Sequence, residues 1–327
     1  VGLDRSRPPA ILIGGRTASG KWALALRVAE ATGGAVINAD SAQVYCELPI
    51  LSAAPPAEER ARAEHLLYGA LEGRQPCSAA DWAQLAKHEI ERLHDTGRVP
   101  ILVGGTGLYL RTLLDGIAPV PAINPEIRAQ VRAAGVAENL AALAPLDPVA
   151  ATTLNPGDRT RIARALEVVW STGKSLGEWQ ELRAGGIGEM VDLQALILLP
   201  PRPWLYQRCD LRFAQMVEQG ALEEVEALLA TNRDPDVPVM RAIGVAELEK
   251  HLQGELTLEQ AIAAGQQATR RYAKRQYTWF EHQPPADWPR FRDPLGGDVV
   301  ERAQALLEFG TKLKSQVDMS ALAQVGA

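Results

Sequence analysis

The stretch Ala10–Gly34, "AILIGGRTASGKWALALRVAEATGG", decides the fold. An apolar run stops at a glycine pair, and after the turn Leu24, Val28 and Ala31 recur at helical spacing before a Gly33-Gly34 stop. That pattern is a buried strand, a loop and a helix. The loop Gly15, Arg16, Thr17, Ala18, Ser19, Gly20, Lys21 has the spacing G-x-x-x-x-G-K. Glycines let successive backbone N–H groups converge on phosphate oxygens at a helix N-terminus, and the lysine adds a positive charge. A plain glycine turn is the alternative, disfavoured by the strand before it and the helix after it. Trp22 stands where such loops carry a Ser or Thr whose hydroxyl ligates Mg²⁺. Magnesium keeps several waters, so a water in that place leaves the loop weakened by about 1–3 kcal/mol but not abolished. The other reading of Trp22 is a side chain packed on a helical insertion or on the neighbouring helix.

Working outward, "AVINAD" (Ala35–Asp40) reads as a second buried strand with an acid at its carboxyl end, and residues 78–96 as a helix with Asp81 near its start. "VPILVGGTG" (Val99–Gly107) is a further strand ending in glycines, followed by the helical "LYLRTLLDG". Strands alternating with helices predict an α/β fold with a parallel sheet flanked by helices, whose ligands sit beyond the carboxyl ends of the strands. From Ala118 to Ala184 prolines punctuate short helical segments, which predicts a mostly helical insertion. "VDLQALILLP" (Val191–Pro200) returns as a strand, an arginine-bearing helix follows, and residues 257–280 form one long helix with a basic, aromatic last part. The expected division is a first core part at 1–117, the insertion at 118–190, a second core part at 191–315 and a tail at 316–327.

Three scattered cysteines among 327 residues exclude a disulfide framework and a zinc site and suit a reducing compartment. No apolar run has the length of a signal peptide or a membrane span, so a cytoplasmic protein without membrane contact is expected. The net charge of -6 argues weakly against bulk nucleic-acid binding but leaves room for a local basic groove.

Several clusters carry chemistry. "DSAQVY" (Asp40–Tyr45) sets a carboxylate, a hydroxyl and an amide at the mouth of the second strand. Asp40 reads either as a general base or holder of a magnesium-bound water, or as a helix N-cap, and one residue can do both. "GGTGLY" (Gly104–Tyr109) permits close backbone approach and offers the Thr106 hydroxyl, or is a simple strand-to-helix turn. "DRTRIARALEV" (Asp158–Val168) places Arg161 and Arg164 on one helix face with Arg159 nearby. "MRAIG" (Met240–Gly244) and "RRYAKRQYTWF" (Arg270–Phe280) add cations and aromatics suited to a phosphate backbone and stacked bases, with solvated surface charge as the bland alternative.

Taken in order, "GRTASGK", "NADSAQVY", "ILVGGTGLYL", "DRTRIARALEV", "GKSLGEWQ", "MRAIG" and "RYAKRQYTWF" resemble the bacterial tRNA dimethylallyltransferase family from about residue 10 to 283. The resemblance implies a P-loop NTPase-like core with a helical insertion, and transfer of a dimethylallyl group from its diphosphate to N6 of adenosine at position thirty-seven, beside the anticodon, of tRNAs reading codons that begin with U. It implies tRNA and dimethylallyl diphosphate as partners, Mg²⁺ as cofactor, and a monomer. Asp40 would be the general base, with Thr17, Lys21 and Arg241 completing the catalytic set. Gly15, Arg16, Thr17, Ala18, Ser19, Gly20, Lys21 and Trp22 would form the diphosphate site. Asp40, Ser41, Ala42, Gln43, Thr106, Arg128, Thr160, Arg161, Ile162, Ala163, Arg164, Arg241, Lys274 and Arg275 would meet tRNA. Arg16 for a common proline, Trp22 for Ser/Thr, Glu64 for a usual proline, Val245-Ala246 and Glu281 depart from the family pattern. These departures leave the metal ligand unassigned and keep an inactive RNA-binding relative in view, beside a prenyltransferase of free AMP or ADP and a small-molecule P-loop kinase.

Overall fold

The computed structural model describes residues 7–231 and 234–295. They fall into two compact units, the smaller being Thr112–Ile187. In the larger unit the strands β1 (Pro9–Gly15), β2 (Ala35–Asn38), β3 (His65–Leu66), β4 (Pro100–Gly104), β5 (Asp192–Leu198) and β6 (Arg290–Phe291) form one sheet in the order β3-β2-β4-β1-β5-β6. Every pairing is parallel. β1 lies between β4 and β5, with Ile11 opposite Ile101 on one side and Gln194 on the other. Covered on both faces, β1 is apolar throughout rather than alternating.

The helices of this unit are α1 (Lys21–Thr32), α2 (Ala57–Arg62), α3 (Ala79–Asp95) and the start of α4 (Gly107–Asp115). The smaller unit holds α5 (Pro125–Ala133), α6 (Val136–Leu143), α7 (Pro148–Thr153), α8 (Arg159–Thr172) and α9 (Leu176–Glu181). After β5 come α10 (Arg202–Met216), α11 (Leu222–Ala230), α12 (Val245–Leu252) and α13 (Leu258–His282). Local chemistry sets the helix starts. Ser78 and Asp81 form a reciprocal capping box on α3, as Thr257 and Gln260 do on α13. Pro125 and Pro148 occupy first-turn positions where the missing N–H costs nothing, which converts the proline punctuation into short helices. The two-residue strands β3 and β6 are too short to carry a period and were not legible in the sequence.

α10 and α13 cross closely because residue 265 is glycine: a Cβ there would stand 2.1 Å from the Phe213 ring. The smaller unit packs Val131, Leu143, Ile162 and Leu166 into its own core. Ile117 and Ala184 exchange backbone hydrogen bonds of 3.1 and 3.2 Å at its base, so it takes in the second half of α4 and starts earlier than the proline texture suggested. The tail at 316–327, and all of 296–315, lie outside the described residues. No helix among the described residues is long and apolar enough to cross a membrane.

Candidate active site

The turn between β1 and α1 is the expected anion cradle, and two of its amides already have protein partners: the Thr17 N–H donates to Gln276 Oε1 at 2.9 Å and the Ser19 N–H to the Arg16 carbonyl at 3.3 Å. Gly20 has φ 89° and Ala18 φ 61°, left-handed values that turn the chain tightly into the helix N-terminus. Glycine takes this conformation freely, whereas alanine is strained in it, as functional sites often are. Lys21 is buried and donates from Nζ to the Arg16 carbonyl at 3.1 Å. Burial lowers its pKa to about 8, a shift that Asp40 opposes and Arg212 reinforces. Ser19 is fully buried, and its Oγ has no hydrogen-bond partner among the described residues. From α10, Arg208 donates to the Ala18 carbonyl at 3.2 Å and Arg212 reaches the Thr17 hydroxyl at 3.5 Å.

β2 ends at Asn38, so Asp40 belongs to the following turn rather than to the strand. Its Oδ1 accepts the Ala42 N–H at 3.1 Å, and Asn38 brackets it by accepting the Asp40 N–H and donating to the Asp40 carbonyl. The carboxylate therefore caps a local turn and not a helix. Thr106 holds this turn from the end of β4: its Oγ1 accepts the Ser41 N–H at 2.9 Å and donates to Ser41 Oγ at 3.3 Å. The glycines around Thr106 serve neighbouring chain rather than ligand. A Cβ at Gly104 would lie 2.0 Å from the Ala39 carbonyl oxygen, one at Gly105 2.1 Å from Gln276 Nε2, and one at Gly107 2.2 Å from the Trp279 ring.

One cavity of about 380 Å³ joins these parts, lined by Thr17, Asp40, Ser41, Ala42, Tyr45, Tyr109, Arg212, Arg241, Tyr272 and Arg275 among others. This is the size range of small-molecule sites. Burial raises the hydroxyl pKa values of Tyr109 and Tyr272, keeping both phenols neutral. Arg241, on the short 3₁₀ turn Pro238–Arg241, donates to the Asp236 carbonyl at 2.8 Å. Lys274 is exposed on α13.

The other expected contact residues differ in what their side chains can reach. Gln43 is buried and donates from Nε2 to the carbonyls of Ser52 and Ala53, so its amide nitrogen is spent on folding its own loop, while its Oε1 is buried without a partner among the described residues. In the smaller unit Ile162 is fully buried and Ala163 nearly so, which removes both side chains from any RNA surface. Thr160 and Arg161 are exposed, and Arg161 pairs with Asp158 at 3.5 Å. Arg128 and Arg164 stand 3.8 and 4.0 Å from the buried Glu167 carboxylate, with Arg132 at 3.1 Å. Arg16 is fully buried, turned between Tyr277 and Tyr206 at 4.7 and 5.7 Å, so only its backbone faces the cradle.

Within the larger unit Trp22 packs against the core of the sheet and does not rest on a neighbouring helix alone. Its ring meets Tyr68 edge-on at 5.4 Å, lies 5.5 Å from Lys21 Nζ, and lines a second cavity of about 600 Å³ with Pro49, Pro55 and Pro56. No group of three His, Cys, Asp or Glu side chains among the described residues is placed to hold a metal ion. The donors at the cradle are the hydroxyls of Thr17 and Ser19 and the Asp40 carboxylate. With the Ser19 hydroxyl buried and unpartnered, this set fits a magnesium ion shared with a phosphorylated substrate and water, and does not fit a resident metal.

Sequence reasoning passed over Arg208, Arg212, Tyr272 and Gln276 as site residues. The two arginines sit four apart on the helix after β5, a spacing that puts both on one face. Gln276 follows Ala273 by three and precedes Phe280 by four, which makes it a polar residue in an apolar stripe. That interruption was the available signal.

Parallel strands, an anion cradle at the end of the central strand and one carboxylate across the cavity mouth belong to the phosphate-loop class of α/β proteins. Comparison with known proteins narrows the class. The family described as IPP transferase matches residues 43–283. The chain is 57% identical over 291 residues to the tRNA dimethylallyltransferase of Sphingopyxis alaskensis, covering 89% of this chain and 95% of that one. The crystal structure of a tRNA isopentenylpyrophosphate transferase from Bacillus halodurans is similar with TM-score 0.66 and 32% identity, over 94% of this chain and 100% of that one. A eukaryotic dimethylallyltransferase acting on tRNA is similar with TM-score 0.73 and 30% identity, over 83% of this chain and 69% of that one. The chain belongs to the IPP transferase family.

Proposed function

We propose that this chain transfers the dimethylallyl group of dimethylallyl diphosphate to N6 of adenosine at position thirty-seven of tRNAs whose codons begin with U. The observation that carries the reading is the single cavity in which Thr17 of the anion cradle and Asp40 share walls with Tyr45, Tyr109, Tyr272 and Arg275. The names of the similar proteins support the same reaction.

An adenine amine is a weak nucleophile, so the base must be extruded from its stack and aligned with the allylic carbon. The cavity's tyrosines suit stacking on such a base. The N6 lone pair forms the new C–N bond as the allylic C–O bond breaks, and that electron pair leaves on the diphosphate. Asp40 takes the N6 proton. Backbone amides of the cradle, Lys21, Thr17 and Ser19 receive the leaving charge, with Arg208 and Arg212 behind them. Where charge develops, donors held in advance lower the barrier most. A magnesium ion bound with the substrate would be held by the diphosphate, water and the Ser19 hydroxyl, and would neutralise part of that charge. Arg241 and Arg275 at the cavity, Lys274 on α13, and Arg128, Thr160, Arg161 and Arg164 of the smaller unit are the side chains we assign to RNA contact.

The test is direct. Purified protein is incubated with undermodified tRNA, labelled dimethylallyl diphosphate and Mg²⁺, and label on the RNA is counted. Transfer to adenosine thirty-seven is expected, and no transfer by folded protein would overturn the reading.

A further inference from the structure

Helix α13 reaches the cradle with successive residues. Gln276, 5% exposed, accepts the Thr17 N–H on Oε1 at 2.9 Å and donates from Nε2 to the Gly105 carbonyl at 3.0 Å. Its neighbour Tyr277 lies under the buried Arg16 guanidinium at 4.7 Å, and Phe280 fills the space that a Cβ on Gly14 would need. Residues 14, 16 and 17 are thus gripped by residues 280, 277 and 276. One side-chain amide spans the ends of β1 and β4, because residue 105 is glycine and admits it.

The β4 side continues to the base. Thr106 follows Gly105, holds Ser41 through its N–H and hydroxyl, and so fixes the Asp40 turn. Tyr272, one turn earlier on α13, lines the same cavity as Asp40 and Ser41. A buried amide that satisfies one donor and one acceptor on two separate loops sets the distance between them, since losing either bond strands a buried polar group.

We infer that Gln276 is a positioning residue that sets the diphosphate cradle and the Asp40 turn in register with one another. Gln276 does not line the cavity on which Thr17 and Asp40 lie. The inference deepens the transferase reading and rests on it for its kinetic test, whereas the binding test below stands apart from it.

Two variants separate positioning from mere packing. Gln276→Leu keeps the size but makes neither bond. It is expected to lower kcat for transfer and the affinity for inorganic pyrophosphate about ten- to a hundredfold each, with KM for tRNA changed less than about twofold. Gln276→Glu reproduces both bonds only when its carboxyl is protonated, one oxygen accepting from Thr17 and the O–H donating to Gly105. Its activity and pyrophosphate affinity relative to the parent protein are therefore expected to recover as pH is lowered from about 8 to about 6, the buried carboxyl being shifted upward. If Gln276→Leu does not fold, the Gln276→Glu ratio still decides. Parent-like kcat and pyrophosphate affinity in Gln276→Leu, or a Gln276→Glu deficit equal at every pH, would overturn the inference. Failure of the parent protein itself to transfer the label would instead overturn the function, leaving the pyrophosphate comparison to judge Gln276.

Discussion

The two glycine-rich strand ends, "GGRTASGK" after β1 and "GGTGLY" after β4, look alike in sequence and do different work. In the first, Gly20 makes a left-handed turn, Lys21 is buried among the amides, and Ser19 Oγ has no partner among the described residues. In the second, the backbone is closed upon by other chain: Ala39 at Gly104, Gln276 at Gly105 and Trp279 at Gly107. Chain closes on the first as well, with Phe280 at Gly14 and Leu198 at Gly15, but it leaves Thr17 on the cavity wall, whereas the second is filled by protein. Glycine reports that something comes close, and only the neighbours say what it is.

The difference is sharpest at Asp40, which the second turn holds through Thr106 and Ser41 and to which we assign the general base for transfer at the first. Asp40→Asn keeps the geometry and removes the base. Its kcat should fall roughly 10²–10⁴-fold while tRNA affinity in a filter-binding assay stays near that of the parent.

Alanine in the two turns should split stability from binding. Gly107→Ala drives a methyl into the Trp279 ring at 2.2 Å, and overpacking of this kind costs about 1–3 kcal/mol in denaturant unfolding. Pyrophosphate affinity of the folded protein should change by less than about threefold, within about 0.7 kcal/mol. Gly15→Ala meets Leu198 O at 3.0 Å and Ser19 Oγ at 3.1 Å, and the expected pattern is reversed, with pyrophosphate binding hit harder than unfolding. The same pattern from both variants would break the distinction.

A pH dependence should be confined to the first turn. With its folded pKa near 8 against an ordinary 10.5, Lys21 is charged below pH 8 and loses its proton above it. Bound diphosphate favours the charged form, so pyrophosphate binding takes up a proton in this window. Affinity should fall by about tenfold per pH unit above pH 8, measured by calorimetry in buffers of differing ionisation heat. Stability of the empty protein runs the other way, rising between about 8 and 10.5, because the unfolded chain binds the extra proton there.

The parallel α/β core, the cradle and the helical character of the insertion were legible because each rests on local signals: apolar runs ending in glycine, helical spacing, prolines at helix starts. The family resemblance rested on the order of such signals. Asp40 was legible as an acid at a strand mouth, although the strand ends two residues earlier and the turn is held from residue 106.

What the sequence by itself determined is which chemical groups exist and which short elements carry them. Tertiary structure decided which of those groups face the cavity. It turned Gln43, Ile162 and Arg16 inward, aimed Arg212 and Tyr272 at the site, and sent Trp22 against Tyr68. The reason is range: spacing along the chain specifies a helix face, but which face meets which loop depends on contacts between residues such as 17 and 276, 259 positions apart, that no local pattern encodes.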